Sequence, residues 1–154
     1  MKGVCHKIVI PDLRISTNFV KLIVMATTTN QKQIIFFAHG SGDPIWQAAV
    51  SALSDEVVRN GFQSSVAYME RASPSLEEVI ASLFKQGKRS FLIIPLFLAP
   101  GGHMSHDVIP LVERQIKLYP TASFTLQQTL LEKSSVRHAL IEDIKSALNT
   151  NNEY

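Results

Sequence analysis

The sequence predicts an α/β domain: a four-stranded parallel sheet with helices on both faces. Three observations carry this. Short apolar runs alternate four times with longer stretches whose apolar residues recur at helical spacing. One run, Phe91–Leu98, is apolar without interruption, the pattern of a strand covered on both sides. Two runs lead directly into glycine-bearing turns with a histidine, His39-Gly40-Ser41-Gly42 and Pro100-Gly101-Gly102-His103. Such turns at the carboxyl ends of strands are where open α/β sheets place ligands.

The first strand is expected at Gln33–Ala38. Asp43 is a good N-cap and Pro44 a good first helical residue. Ile45, Ala49, Leu53 and Val57 fall on one face of helix one, which Asn60-Gly61 closes. A second strand is expected near Ser64–Met69, with Glu70 at its carboxyl end and Ser73-Pro74 as the next helix start. Leu76, Val79, Ile80, Leu83 and Phe84 form the buried stripe of helix two, and Gly87 ends it.

The apolar third strand and its glycine turn follow. The paired glycines Gly101 and Gly102 let the backbone turn sharply and a ligand approach closely. Asp107 is expected to cap helix three, with Val108, Leu111, Val112 and Ile116 as its stripe. Pro110 is tolerable because it falls in the first turn. Tyr119-Pro120 breaks that helix, and Ser123–Gln128 reads as the fourth strand. Helix four starts near Ser134, with Val136, Leu140, Ile144 and Leu148 at i,i+4 spacing.

Alternating strands and helices make βαβ units. A flavodoxin-like strand order, 2-1-3-4, sets strands one and three side by side at the chain reversal. His39 and His103 then leave neighbouring strands at one edge of the sheet, and Glu70 leaves the strand on the other side of strand one. The three are expected to converge on one cleft.

A chain of 154 residues supports one domain with a real core, here residues 31–150. Residues 1–30 hold four basic residues and one acidic residue, and read as an extension or a disordered arm. Met25, followed by Ala-Thr-Thr-Thr-Asn-Gln, is the expected natural initiator. Residues 151–154 read as a frayed tail. From Gln31 onward 11 basic and 12 acidic residues leave no basic face, so no nucleic-acid partner is expected. The single cysteine, Cys5, excludes an intrachain disulfide and fits a reducing, cytoplasmic setting. No apolar run approaches the roughly 20 residues of a membrane span, so no membrane partner is expected.

His6, His106 and His138 read as ordinary polar loop or surface residues. His39 and His103 differ, because each follows an apolar strand beside glycine on the ligand edge. Neutral imidazole binds divalent Co, Ni, Fe and Zn ions. Two histidines fall short of the four closed ligands of a structural metal site, so they suit an ion held loosely and passed on. Glu70 answers a helix N-terminus, or acts as a base or transient third ligand. Gly40-Ser41-Gly42 before a helix is a weak phosphate cradle, lacking both the P-loop lysine and the dinucleotide glycine spacing.

FFAHGSGDP, AYMERASPSLEEVI and IIPLFLAPGGHMSHDVIP together resemble the sirohydrochlorin chelatases, the small class II chelatases of the CbiX/SirB type. The resemblance covers about residues 33–148. It implies a chelatase-like fold and a lyase that inserts Co2+ or Fe2+ into sirohydrochlorin, for cobalamin or sirohaem; Ni2+ also suits the ligands. The metal is then a co-substrate, with no tightly bound cofactor, and the short form typically works as a homodimer. By the resemblance His39 binds metal and takes up pyrrole protons, His103 is the second metal-binding histidine, and Glu70 is the acidic residue beside them. Leu98, Ala99, Pro100, Gly101 and Gly102 match the segment along the macrocycle. The substrate's carboxylates call for positive groups at the mouth, where Arg71, next to Glu70, is the best-placed candidate, and Ser41 is a further expected substrate contact. Lys88 and Arg89 should lie at the wrong end of the sheet. Gly42 stands where an arginine is common, removing a carboxylate contact, and Gln127–Glu132 lacks a Gly-Pro-His-like turn.

Metal insertion displaces two N–H protons, and histidine is the side chain best suited to accept them near neutral pH. Imidazole must be neutral to serve, so activity is expected to fall below about pH 6. A histidine phosphatase would want an arginine before His-Gly, where Ala38 stands. A non-catalytic metal or tetrapyrrole carrier would use the same ligands, and a plain interaction domain would use none.

Overall fold

The computed structural model describes residues 31–150. The expectations for residues 1–30, Met25 and 151–154 lie outside the described residues. Four strands, β1 (Gln33–Ala38), β2 (Gln63–Tyr68), β3 (Ser90–Pro95) and β4 (Ser123–Leu126), form one parallel sheet of order β2-β1-β3-β4. The helices are α1 (Pro44–Arg59), α2 (Leu76–Lys85), α3 (Ile109–Leu118) and α4 (Ser134–Thr150). A π-helical turn, Met104–Val108, leads into α3, and a 3-10 turn, Leu130–Glu132, precedes α4.

Alternation along the strands assigns the layers. Ile35 and Phe37 of β1, Ala67 of β2 and Phe91 and Ile93 of β3 face one way, against Leu76, Val79, Ile80 and Leu83 of α2 and Leu111 and Val112 of α3. Each such large side chain taken out of water contributes about 1.5–3 kcal/mol, so this face is the main source of stability. α1 covers the opposite face at β2. There the Ser54 and Ser64 hydroxyls lie 2.8 Å apart, and the Trp46 and Tyr68 rings are 6.2 Å apart.

Helix punctuation follows the sequence closely. Asp43 caps α1 through the Ile45 N–H, and Gly61 leaves it with φ +86°. For α2, however, the cap is Ser75, not Ser73. Its hydroxyl accepts from the Glu78 N–H while the Glu78 carboxylate accepts from the Ser75 N–H. That reciprocal pair outcompetes a start at Ser73-Pro74, which is a cis peptide.

Four packing expectations fail. In α1, Ile45 is 81% exposed and Leu53 and Ala49 are exposed; the inward face is Trp46, Gln47, Val50, Ser54 and Val57. On that face Ser54 meets Ser64 of β2 and Trp46 lies beside Tyr68. In α3, Ile116 is exposed and Gln115 buried in its place. β3 stops at Pro95, and Leu92 and Ile94 on its second face are only half-buried. α4 lies against the 3-10 turn, and its Leu140, Ile141, Ile144 and Leu148 are exposed. Among the described residues no helix is long and apolar enough to cross a membrane.

Candidate active site

Backbone pairing continues past the strand ends and delivers the site residues together. The Met69 N–H donates to the Ala38 carbonyl and the Glu70 N–H to the His39 carbonyl, both at 2.9 Å. On the other side, the Leu96 N–H donates to the Phe37 carbonyl at 2.8 Å. The chain beyond β1 is therefore gripped from both neighbours. Gly40 makes that possible. It has φ +99°, and a Cβ there would run into the Glu70 carbonyl.

His39 and His103 meet at this edge, their ring centres 5.2 Å apart and their planes nearly perpendicular at 89°. Two imidazoles on one tetrahedral ion, each about 2.0–2.1 Å from it through nitrogen, place their ring centres about 5 Å apart. The spacing suits a shared ion. Phe97 packs edge-on to His39 from below, with centroids 6.5 Å apart, and in turn rests on Phe37 of the core.

Each histidine has a carboxylate at Nδ1. His39 Nδ1 lies 3.4 Å from Glu70 Oε1, and the Arg71 Nε lies 3.4 Å from that same oxygen. His103 Nδ1 is closer to its partner, 2.9 Å from Asp107 Oδ2. Neither Nε2 has a partner among the described residues. With their second nitrogens engaged, the rings are left to offer Nε2 to a ligand. Among the described residues no three His, Cys, Asp or Glu side chains assemble into a closed metal set. Glu70 is turned toward His39 and Arg71 instead.

Arg71 takes φ 58°, the left-handed region unusual for a residue with a Cβ, and its side chain is 75% exposed at the rim. The Ser41 hydroxyl accepts from the Asp43 N–H and its carbonyl from the Gln47 amide, so Ser41 builds the turn into α1. Leu98 is 68% exposed, and Ala99, Pro100, Gly101 and Gly102 are exposed beside it. Neither Gly101 nor Gly102 has positive φ, so the sharp turn does not rest on left-handed glycine; a Cβ on Gly101 would meet open space. Lys88 and Arg89 precede β3 at the far end of the sheet, where Arg89 stacks on Phe84 and donates to its carbonyl.

Asp107 corrects the sequence expectation. It lies within the π-helical turn instead of capping α3, and its carboxylate turns back to His103. The signal was present as histidine and aspartate four positions apart, a spacing that puts side chains on one face. The loop after β4 also acquires a function. The Leu130 and Leu131 N–H groups donate to the Phe97 and Leu98 carbonyls at 2.9 and 2.8 Å, fixing the segment beside the histidines. Thr129, fully buried, gives its hydroxyl and N–H to Glu132. The hydroxyl first, then the backbone N–H, hold the Glu132 carboxyl below the usual carboxylate range. A cavity of about 400 Å³ opens beside His103 toward α2 and α3, lined among others by Tyr68, Glu70, Glu77, His103, Asp107 and Arg114.

Known proteins share this arrangement of elements. A CbiX protein from Marinobacter aquaeolei VT8 superposes with a TM-score of 0.68 at 31% identity, over 77% of this chain and 98% of that one. The sirohydrochlorin chelatase SirB from Bacillus subtilis subspecies spizizenii, in complex with cobalt, superposes with a TM-score of 0.59 over 65% of this chain and 44% of that one. At 20% identity that likeness is one of fold. A sirohydrochlorin cobaltochelatase from Methanosarcina acetivorans is 35% identical over 88 residues, 52% of this chain and 63% of that protein. One from Methanothermobacter thermautotrophicus is 30% identical over 89 residues, 54% of this chain and 62% of that protein. The chain thus spans less than two thirds of the length of the curated relatives it matches. The CbiX family model matches residues 33–147, and this chain belongs to the CbiX family.

Proposed function

We propose that this chain inserts a divalent metal ion, Co2+ or Fe2+, into sirohydrochlorin with release of two protons. One observation carries the reading: His39 and His103, from adjacent strands, have ring centres 5.2 Å apart, and neither Nε2 is engaged among the described residues. Relatives that carry the name sirohydrochlorin cobaltochelatase support the substrate. His39 and His103 take the ion as it sheds water, and present it to one face of the ring. As the ion enters, the two pyrrole N–H protons leave to the imidazoles, with Glu70 beside His39 as the nearest carboxylate. The exposed turn Leu98–Gly102, braced by Leu130 and Leu131, lies along the macrocycle, and Ser41 and Arg71 contact its carboxylates.

The reading includes a cytoplasmic homodimer serving cobalamin or sirohaem synthesis. The exposed apolar side chains of α4 support the dimer, and so does the match to SirB over less than half of that chain. The test is spectrophotometric: sirohydrochlorin with Co2+ or Fe2+, comparing wild type with His39→Ala and His103→Ala. Many metallated rings per protein are expected from wild type, and a drop of about 100-fold or more in either variant. Conversion that stops at one ring per protein would indicate a carrier instead.

A further inference from the structure

We propose that Asp107 is a positioning residue for His103, holding its imidazole in the Nδ1–H tautomer so that Nε2 carries the free lone pair. The inference deepens the metal-insertion reading and rests on it only for the identity of the ion. Its basis is geometric. An ionised carboxylate can only accept hydrogen bonds, and a neutral imidazole has one N–H and one lone pair. With Asp107 Oδ2 2.9 Å from His103 Nδ1, the proton belongs on Nδ1. The lone pair is left on Nε2, which has no other partner among the described residues.

Two further features fix the ring. His103 stands perpendicular to His39 at 5.2 Å, so rotation about its bonds would carry it into or away from that ring. The π-helical turn Met104–Val108, closed by the Ile109 N–H on the Met104 carbonyl, carries Asp107. A carboxylate on the second nitrogen of a metal-binding histidine fixes ring and tautomer and makes the ligand more basic. His39 is held less tightly. Its carboxylate is 3.4 Å away and shared with Arg71. The Asp107 contact is therefore the shorter of the two histidine–carboxylate contacts, and it is not shared with an arginine.

A purely structural pair would share this geometry. His103 and Asp107 are 62% and 53% exposed, and such pairs contribute little to stability. The experiment separates the roles. The full chain is compared with Asp107→Ala and Asp107→Asn by two readouts: the imidazole nitrogen tautomer of metal-free protein by long-range 15N–1H NMR, and titration with Co2+ alone. Expected are an Nδ1–H tautomer for His103 in wild type, a shift toward Nε2–H in Asp107→Ala, and Co2+ affinity lowered about 10–100-fold. Asp107→Asn keeps an acceptor oxygen and should retain much of both. A wild-type His103 protonated on Nε2, or Co2+ affinity unchanged in Asp107→Ala, would overturn the proposal. The tautomer readout needs no turnover, so it stands or falls apart from the assay with sirohydrochlorin.

Discussion

The carbonyl of Glu70 occupies the space that a Cβ on Gly40 would need. The same residue joins the two loops through its other backbone group, because the Glu70 N–H donates to the His39 carbonyl at 2.9 Å. Histidine and carboxylate are thus brought together by backbone contact, and the 3.4 Å side-chain approach of His39 to Glu70 follows from it.

Gly40→Ala should therefore disturb the site more than its size suggests. At φ +99° an alanine is strained as well as obstructed, and a loss of about 1–3 kcal/mol is expected. Thermal unfolding measures the loss, and the metallation assay should show activity falling with it. A variant as stable and active as wild type would show that the loops are not clamped here.

Arg71 is expected to act on substrate affinity. Removing it by Arg71→Ala should raise KM for sirohydrochlorin about fivefold, the scale of one exposed ion pair, with kcat little changed. Because Arg71 occupies the left-handed region, Arg71→Gly removes the charge with no Cβ in that conformation. Both variants should behave alike. A kcat effect with KM unaltered would place Arg71 outside substrate binding.

The turn after β4 should respond to acid. Thr129 holds the folded-state carboxyl of Glu132 below its ordinary range. The stabilisation is then fully present above the unfolded value, about 4.3. It is lost as pH falls through the lower folded value. Wild type should exceed Glu132→Gln in melting temperature at neutral pH, and the gap should close as pH drops below about 4. A gap independent of pH would mean that the charge of Glu132 contributes nothing.

The exposed face of α4 carries the proposed dimer. Ile144→Glu, at a position 50% exposed within one chain, should leave the secondary structure intact by circular dichroism. In analytical ultracentrifugation it should shift dimer to monomer. A variant that sediments as wild type would move the interface elsewhere or remove it.

Much of the fold was legible in order. β1 lies where its apolar run and the following His-Gly put it, Asp43 and Pro44 start α1, and Gly61 and Gly87 follow helices with positive φ. These are local effects of φ freedom, missing donors and capping, so sequence alone carries them. The histidine pair was legible for a topological reason: parallel order 2-1-3-4 sends both strand ends to one edge. The contacts of Asp107 and Gly40 were not, although the four-residue spacing of His103 and Asp107 stands in the sequence. The first depends on a π-helical turn that no apolar spacing reveals, the second on which backbone passes next to it.

Local signals along the chain are enough for the succession of strands and helices, the parallel sheet, and the delivery of His39 and His103 to its carboxyl edge. Periodicity and turn chemistry act within a few residues, and that succession needs nothing more. Long-range packing turns Ile45 and Leu53 of α1 outward and leaves the apolar residues of α4 exposed. It alone decided that each histidine meets a carboxylate through Nδ1. Those outcomes depend on which surfaces compete for contact after the chain has folded. An i,i+4 stripe states that a helix has an apolar face, not what covers it.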